Sequence, residues 1–260
     1  MFLIKLGGSV ITDKARECCF RPETMDRLAA ELKKAGKEVM LVHGAGSFGH
    51  ILARKYKLSE GYKEDSQIFG FAHTQATVQK LNTLVLERLQ EQGLPAISVP
   101  PHAMLTFDRH HPTLVNYSLL RSYVKEGFLP VTFGDVVLDS KLGFSICSGD
   151  TLMQLLAREF LPEKVIFVLD EDGLYTANPK TDSSASFIEQ TTIKELEMLK
   201  LTANTHADVT KGMEGKLETI KEIAKLGIDT ILLNGNVHNR LLDTLQGRKT
   251  RCTVIRGEKP

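Results

Sequence analysis

Five stretches of this 260-residue sequence join glycine to lysine, histidine or aspartate in ways that can hold an anion. Lys5-Leu6-Gly7-Gly8-Ser9 sets two glycines directly after an apolar run. Backbone N–H groups there can close on a phosphate because no Cβ stands in the way, and Lys5 supplies positive charge. An ordinary strand-to-helix turn has the same composition, and the Walker pattern G-x-x-x-x-G-K-[ST] does not occur. His43-Gly44-Ala45-Gly46-Ser47-Phe48-Gly49-His50 follows a second apolar run. Its glycines suit backbone approaching a ligand closely, and His50 falls near the start of the next helix, where imidazole and helix N–H groups can share one phosphate. The letters also satisfy G-x-G-x-x-G, but here the loop follows the second predicted strand, against the placement of a dinucleotide turn. His43 reads as a structural residue at a strand end.

Three later stretches carry acids and lysines. Ser148-Gly149-Asp150 precedes an apolar helix over Leu152 to Phe160, and Asp150 there can be a helix cap or a site residue. Asp170-Glu171-Asp172-Gly173-Leu174-Tyr175 ends another apolar run, a position from which acids can face a nucleotide or its metal, although a solvated acidic turn has the same composition. Asp208-Val209-Thr210-Lys211-Gly212-Met213-Glu214-Gly215-Lys216 opens a helix with two lysines, which offer charge to phosphate or merely a wet helix face. Each motif alone is weak. Their recurrence at successive strand ends is what argues for a shared site.

The elements that must carry these motifs follow from hydropathy. β-rich runs at 2–6, 39–43, 96–99, 129–133, 165–169 and 230–233 alternate with amphipathic stretches, the pattern of βα units around a parallel sheet. VMLVH, VIFVL and TILLN lack polar alternation, so both faces of that sheet are expected to be covered by helices. Met25, Leu28, Ala29 and Leu32 recur at helical spacing within 22–36, as do Leu81, Val85, Leu86 and Leu89 within 78–93. Residues 133–148 predict a β-hairpin turning near Asp139 to Gly143, and 178–186 predict a flexible polar loop. No repeat or linker divides the chain, which predicts a single domain.

With 33 Lys plus Arg against 32 Asp plus Glu, nothing draws the whole protein to nucleic acid or an anionic membrane. No apolar run reaches the roughly 18 residues of a membrane span. The first residues read as a buried strand rather than a secretory leader, so the expected location is cytoplasmic. The four cysteines show neither metal-cage nor disulfide spacing, so no metal-binding residues are predicted.

In this order, K-L-G-G-S, H-G-A-G-S-F-G-H, G-D, D-x-D-G-L-Y and D-V-T-x-G-M-x-G-K resemble the amino acid kinase superfamily, and within it the isopentenyl phosphate kinases, from Lys5 to about Asn234. The resemblance implies a three-layer αβα sandwich with an open, mainly parallel sheet of eight or so strands, usually a homodimer. It implies ATP and Mg²⁺, isopentenyl phosphate as acceptor, and a division of labour between residues 1–150 for the acceptor and 151–260 for the nucleotide. By the same resemblance Lys5, Gly7, Gly8 and Ser9 hold ATP phosphates, Lys14 stabilises the transferring phosphoryl group, and Gly46 lies nearer ATP. Ala45, Gly49, His50 and Gly149 serve the acceptor, while Asp170, Gly212 and Lys216 serve the nucleotide. Lys211 departs from the small glycine usual in this family. An apolar pocket for a five-carbon tail is expected from Ile68 to Phe71 and Phe144 to Ile146. A fosfomycin-type kinase and a non-catalytic ligand-binding domain of the same fold are the alternatives.

Overall fold

The computed structural model describes residues 1–177, 179, 182–202 and 211–258. β1 (Phe2–Leu6) leads into the single-turn helix α1 (Gly8–Ile11). The next helix, α2 (Pro22–Ala35), begins with proline, whose missing N–H costs nothing in a first turn, and ends at Gly36, whose φ of 61° glycine tolerates best. β2 (Val39–His43) lies parallel to β1, with Phe2 opposite Val39 and Leu6 opposite His43. There follow α3 (Gly46–Lys55), α4 (Ser66–Glu91), β3 (Ala96–Ser98) and the short α5 (Pro101–Met104). A hairpin of β4 (Leu105–Asp108) and β5 (His111–Val115) precedes α6 (Tyr117–Lys125) and β6 (Leu129–Phe133). A second hairpin, β7 (Asp135–Asp139) with β8 (Gly143–Cys147), feeds α7 (Gly149–Phe160) and β9 (Lys164–Leu169). Beyond these come β10 (Leu174–Tyr175), β11 (Phe187–Ile188), β12 (Gln190–Thr192), α8 (Ile193–Thr202) and α9 (Lys211–Ala224). The last elements are β13 (Thr230–Asn234), α10 (Arg240–Leu245) and β14 (Thr253–Arg256).

The central sheet has eight strands in the order β12-β14-β13-β9-β1-β2-β6-β3, and of its adjacent pairs only β13 with β14 runs antiparallel. Alternation along each strand sends side chains to two cores. Ile4, Leu6, Leu41, Ile166 and Val168 pack with Met25, Leu28 and Leu32 of α2 and Leu81, Val85 and Leu89 of α4. On the other face Leu3, Met40, Val42 and Phe167 meet Leu152, Met153 and Leu156 of α7 and Ile220 and Ile223 of α9. A fully buried side chain of this kind contributes about 1.5–3 kcal/mol, so the two helical layers fix the sheet from both sides. Lys5 shares the face of Leu3 and Phe167, and so points toward α7 and α9 from the last residue but one of β1. The expected open, mainly parallel αβα sandwich is the observed fold.

Two departures from expectation have local causes. α4 begins at Ser66 rather than near Val78, because its inward face in the first turns is Gln67, Gly70 and Thr74 instead of large aliphatics. Tyr56 lies so close to Gly70 that a Cβ there would meet its ring at 2.3 Å. The expected hairpin and its turn are present, but β7 and β8 form a four-stranded sheet with the unpredicted β4–β5 hairpin, in the order β5-β4-β7-β8. Asp139 ties the two hairpins together. Its carboxylate accepts from the N–H groups of Arg109 at 3.0 Å and His110 at 2.8 Å, both at positive φ, and from the N–H groups of Lys141 and Leu142. Burial opposes its charge, but these bonds and one from Ser145 win and hold the carboxyl far below the usual range. Of the loop expected over 178–186, residues 178, 180 and 181 lie outside the described residues, as do Asp208, Val209 and Thr210.

Candidate active site

A cleft of about 330 Å³ opens where β1, β2 and β9 end at their carboxyl termini, the place where open α/β sheets receive ligands. Lys5, Gly7, Gly8, Ser9 and Lys14 line it from the first motif and its extension, and Ala45, Gly46, Gly49 and His50 from the second. Gly149, Asp170 and Lys216 complete the wall, so motifs separated by up to two hundred residues do converge. Gly212 is the second residue of α9, directly after Lys211.

The glycines are there because the two turns touch. A Cβ on Gly8 would lie 2.6 Å from both N and Cα of Gly46, and one on Gly44 would lie 2.7 Å from N of Gly8. Backbone packed this closely leaves no room for side chains between the two loops, while Gly7 N–H and Gly44 N–H donate to Val168 O and Leu6 O and so anchor both turns to the strand ends. α3 and α7 both aim their N-termini at the same space, which adds partial positive charge to that of the lysines.

Three charges stand close together in the cleft. Lys5 Nζ sits 2.6 Å from Asp150 Oδ1, and Lys216 Nζ sits 3.7 Å from the same oxygen. Both ammonium groups rest over the ring of Phe167, at 5.8 and 5.5 Å from its centroid. Burial pushes the Lys5 ammonium down to about 8, with Asp150 pulling it up and Lys216 depressing it further. Burial raises the Asp150 carboxyl, but Lys5 and Lys216 outweigh it and hold the group below the usual range. Asp150 is therefore an anion clamped between two cations, and the alternative of a capping aspartate fails. Ser148 caps α7 instead, accepting from Thr151 N at 3.0 Å. Sequence reasoning left Asp150 open between a cap and a site residue; the signal available was that a lysine near the end of a buried strand needs a counter-ion.

Lys14 stands apart, exposed and 4.0 Å from Asp170 Oδ2 at the mouth of the cleft. His50 faces the cavity from the second turn of α3. It is exposed to the cleft, and desolvation first, then Lys14, Lys5 and Arg54, lower its pKa, so the imidazole stands in a cationic field that disfavours its protonation. His43 has the structural role expected of it. It is fully buried, stacks on Phe133 at 5.2 Å, lies 3.2 Å from Asn82 Oδ1 through Nε2, and is pushed down to about 4, mainly by burial.

The apolar end of the cleft differs from expectation. Ile68 and Phe69 are 60% and 65% exposed because they sit on the outward face of α4. Phe71 and Phe144 pack with Leu58 in a small cluster behind the wall. Of the predicted segments only Ile146 lines the cleft, and Ala53, Thr74, Val78 and Val136 supply the rest. These residues come from α3, α4 and β7, whose shared face no local pattern could reveal. Asp135, also on the wall, is held by Nδ1 of His102 at 2.7 Å. Among the described residues no three His, Cys, Asp or Glu side chains group as a metal site.

A parallel sandwich whose glycine turns meet a lysine–aspartate–lysine centre at the strand ends defines a class, and the chain belongs to the amino acid kinase family, whose sequence model matches residues 1–234. Within that family its relatives are narrower in kind. The isopentenyl phosphate kinase of Methanothermobacter thermautotrophicus is 39% identical over 267 residues, covering 99% of this chain and 100% of the relative. That of Thermoplasma acidophilum is 32% identical, covering 94% and 95%. A solved isopentenyl phosphate kinase superposes with a TM-score of 0.86 at 36% identity, over 98% of this chain and 99% of the other. UMP kinase from Ureaplasma parvum shares the fold alone, at 14% identity and a TM-score of 0.66 over 98% of this chain and 97% of the other.

Proposed function

We propose that this chain transfers the γ-phosphoryl group of ATP to isopentenyl phosphate, giving isopentenyl diphosphate and ADP for isoprenoid biosynthesis. The observation that carries the reading is one cleft holding the Lys5–Asp150–Lys216 centre, the His50 ring and a small apolar end. Relatives that cover 99% and 94% of the chain bear the same activity in their names.

An acceptor phosphate is already anionic, so no strong base is needed. The barrier lies in bringing two polyanions together, and positioning with charge neutralisation is the remedy. One acceptor oxygen attacks the γ-phosphorus in line, that P–O bond forms, and the bond to the β,γ-bridging oxygen breaks as ADP leaves. Lys5 and Lys216 take the donor phosphates, Lys14 follows the transferring group, and Asp150 keeps the two buried ammonium groups at fixed separation. His50, with N–H groups of Ala45 and Gly149, holds the acceptor phosphate. Gly7, Gly8, Ser9, Gly46 and Gly212 supply close backbone to the nucleotide. Magnesium neutralises the nucleotide phosphates when bound. It suits this donor set, because Mg²⁺ keeps most of its waters and needs one or two carboxylates, and Asp170 is a half-exposed acid at the mouth.

The reading includes residues 1–150 as the acceptor half and 151–260 as the nucleotide half of a single domain, in a cytoplasmic homodimer. The family resemblance supports the dimer. Among the described residues no helix is long and apolar enough to cross a membrane.

A coupled ADP-release assay over isopentenyl phosphate, dimethylallyl phosphate, fosfomycin, uridine monophosphate and acetylglutamate is the test. Isopentenyl phosphate is expected to give the highest kcat/KM. ADP release confined to another acceptor, or nucleotide binding with no turnover, would sink the proposal.

ATP binding is also expected to take up protons above neutrality. The free Lys5 ammonium titrates near 8, and bound polyphosphate restores it toward its ordinary value of 10.5, so uptake appears between those values and ATP affinity falls as pH rises through them. Calorimetry at about pH 8.5, in two buffers of different ionisation enthalpy, reads this directly. Binding heats independent of the buffer would contradict it.

A further inference from the structure

Thr12 lies beneath the cleft and is fully buried. Its hydroxyl makes two bonds that join the site's halves: it donates to Gly8 O at 2.6 Å and accepts from Ser47 N at 3.0 Å. Gly8 belongs to the turn after β1, and Ser47 is the second residue of α3, the helix that carries His50. The fit leaves no slack. Gly46, at φ 51°, packs so that a Cβ would meet Thr12 Oγ1 at 2.3 Å.

The excursion bearing Lys14 closes on the same pair. Thr12 forms an isolated β-bridge with Phe20. Ser47 accepts Cys19 N on its hydroxyl at 3.2 Å and Cys18 N on its carbonyl at 3.3 Å. The Thr12 hydroxyl thus joins the loop of the donor-phosphate glycines to the helix of the acceptor histidine, and Ser47 ties the excursion of the exposed lysine to the same point.

We propose that Thr12 is a positioning residue for phosphoryl transfer, its hydroxyl setting the spacing between the donor-phosphate turn and the acceptor-phosphate helix. The proposal rests on the kinase reading above. In-line attack depends on reacting atoms being held within a narrow range of distance, whereas each substrate keeps further contacts away from the Thr12 bridge, the donor with Lys216 and Gly212 and the acceptor with Gly149. Loss of the bridge therefore lowers the rate of transfer and leaves both affinities nearly intact. A threonine that merely stabilised its turn would affect melting and not the kinetics of the folded enzyme.

Thr12→Val keeps the shape, removes the donor to Gly8 and leaves Ser47 N–H buried without an acceptor; Thr12→Ser keeps the hydroxyl. Kinetics are measured on folded, monodisperse protein, with the acceptor from the panel that the parent uses best. A parent silent toward isopentenyl phosphate then counts against the substrate assignment, and the Thr12 comparison still decides the positioning role. Thr12→Val is expected to lose about 30- to 100-fold in kcat, with both KM values within about three-fold of the parent, and Thr12→Ser to stay within about three-fold throughout. A parent-like kcat in Thr12→Val overturns the proposal. So does a loss appearing only in KM, or a serine variant as impaired as the valine one. If the valine protein does not fold, Thr12→Ala is read by the same criteria.

Discussion

Lys5→Met is expected to lower kcat by about 10²- to 10³-fold without loss of fold, the range typical of removing one preorganised charge from a water-poor site. The side chain ends a buried strand, is 8% exposed and contacts the ring of Phe167, so methionine can occupy its space. The effect has two sources. On the proposed role the cation facing the donor phosphates disappears, and Asp150 loses its nearer partner and keeps Lys216 at 3.7 Å. Adding Asp150→Asn to the methionine variant removes that second source, and the pair is expected to recover part of the loss, as coupled neighbours do. Steady-state kinetics on proteins matched by thermal melting decides the matter. A kcat within ten-fold of the parent would remove Lys5 from the reaction.

His50→Ala is expected to reduce kcat/KM for isopentenyl phosphate by about 10- to 100-fold, the cost of one hydrogen bond to a charged group, while KM for ATP stays within about two- to three-fold. The imidazole faces the cavity from α3 among Lys14, Lys5 and Arg54, surroundings that disfavour its protonation until an anion arrives. His50→Gln keeps a donor of similar reach and is expected to fall between parent and alanine. Equal losses for both substrates would place His50 in general scaffolding rather than on the acceptor.

These predictions address residues that local sequence had already marked, and the reason is chemical. A glycine tolerated where a side chain would collide, and a lysine or histidine set beside it at a strand end, are legible one motif at a time. Asp150 and Thr12 were not. Asp150 stays undecided between cap and site until Ser148 is found to cap the helix, and its meaning depends on Lys5 arriving from 145 residues away. Thr12 belongs to none of the five motifs, and its place shows only when Ser47 of another loop is laid against it. The apolar end was misplaced for a similar reason: Ile68 and Phe69 are hydrophobic, but the phase of α4 turns Thr74 and Val78 inward instead.

The amino-acid order by itself determined the parallel sandwich, the strands 2–6, 39–43 and 129–133 to the residue, and the glycine, lysine and histidine types of the site. These follow from short-range properties: hydropathy without alternation, helical period, and the room that glycine leaves. Only the tertiary structure decided which carboxylate the lysines share, which hydroxyl joins the phosphate loops and which side chains close the apolar end. Those are contacts between distant segments, and their geometry exists only once the sheet has brought the strand ends together.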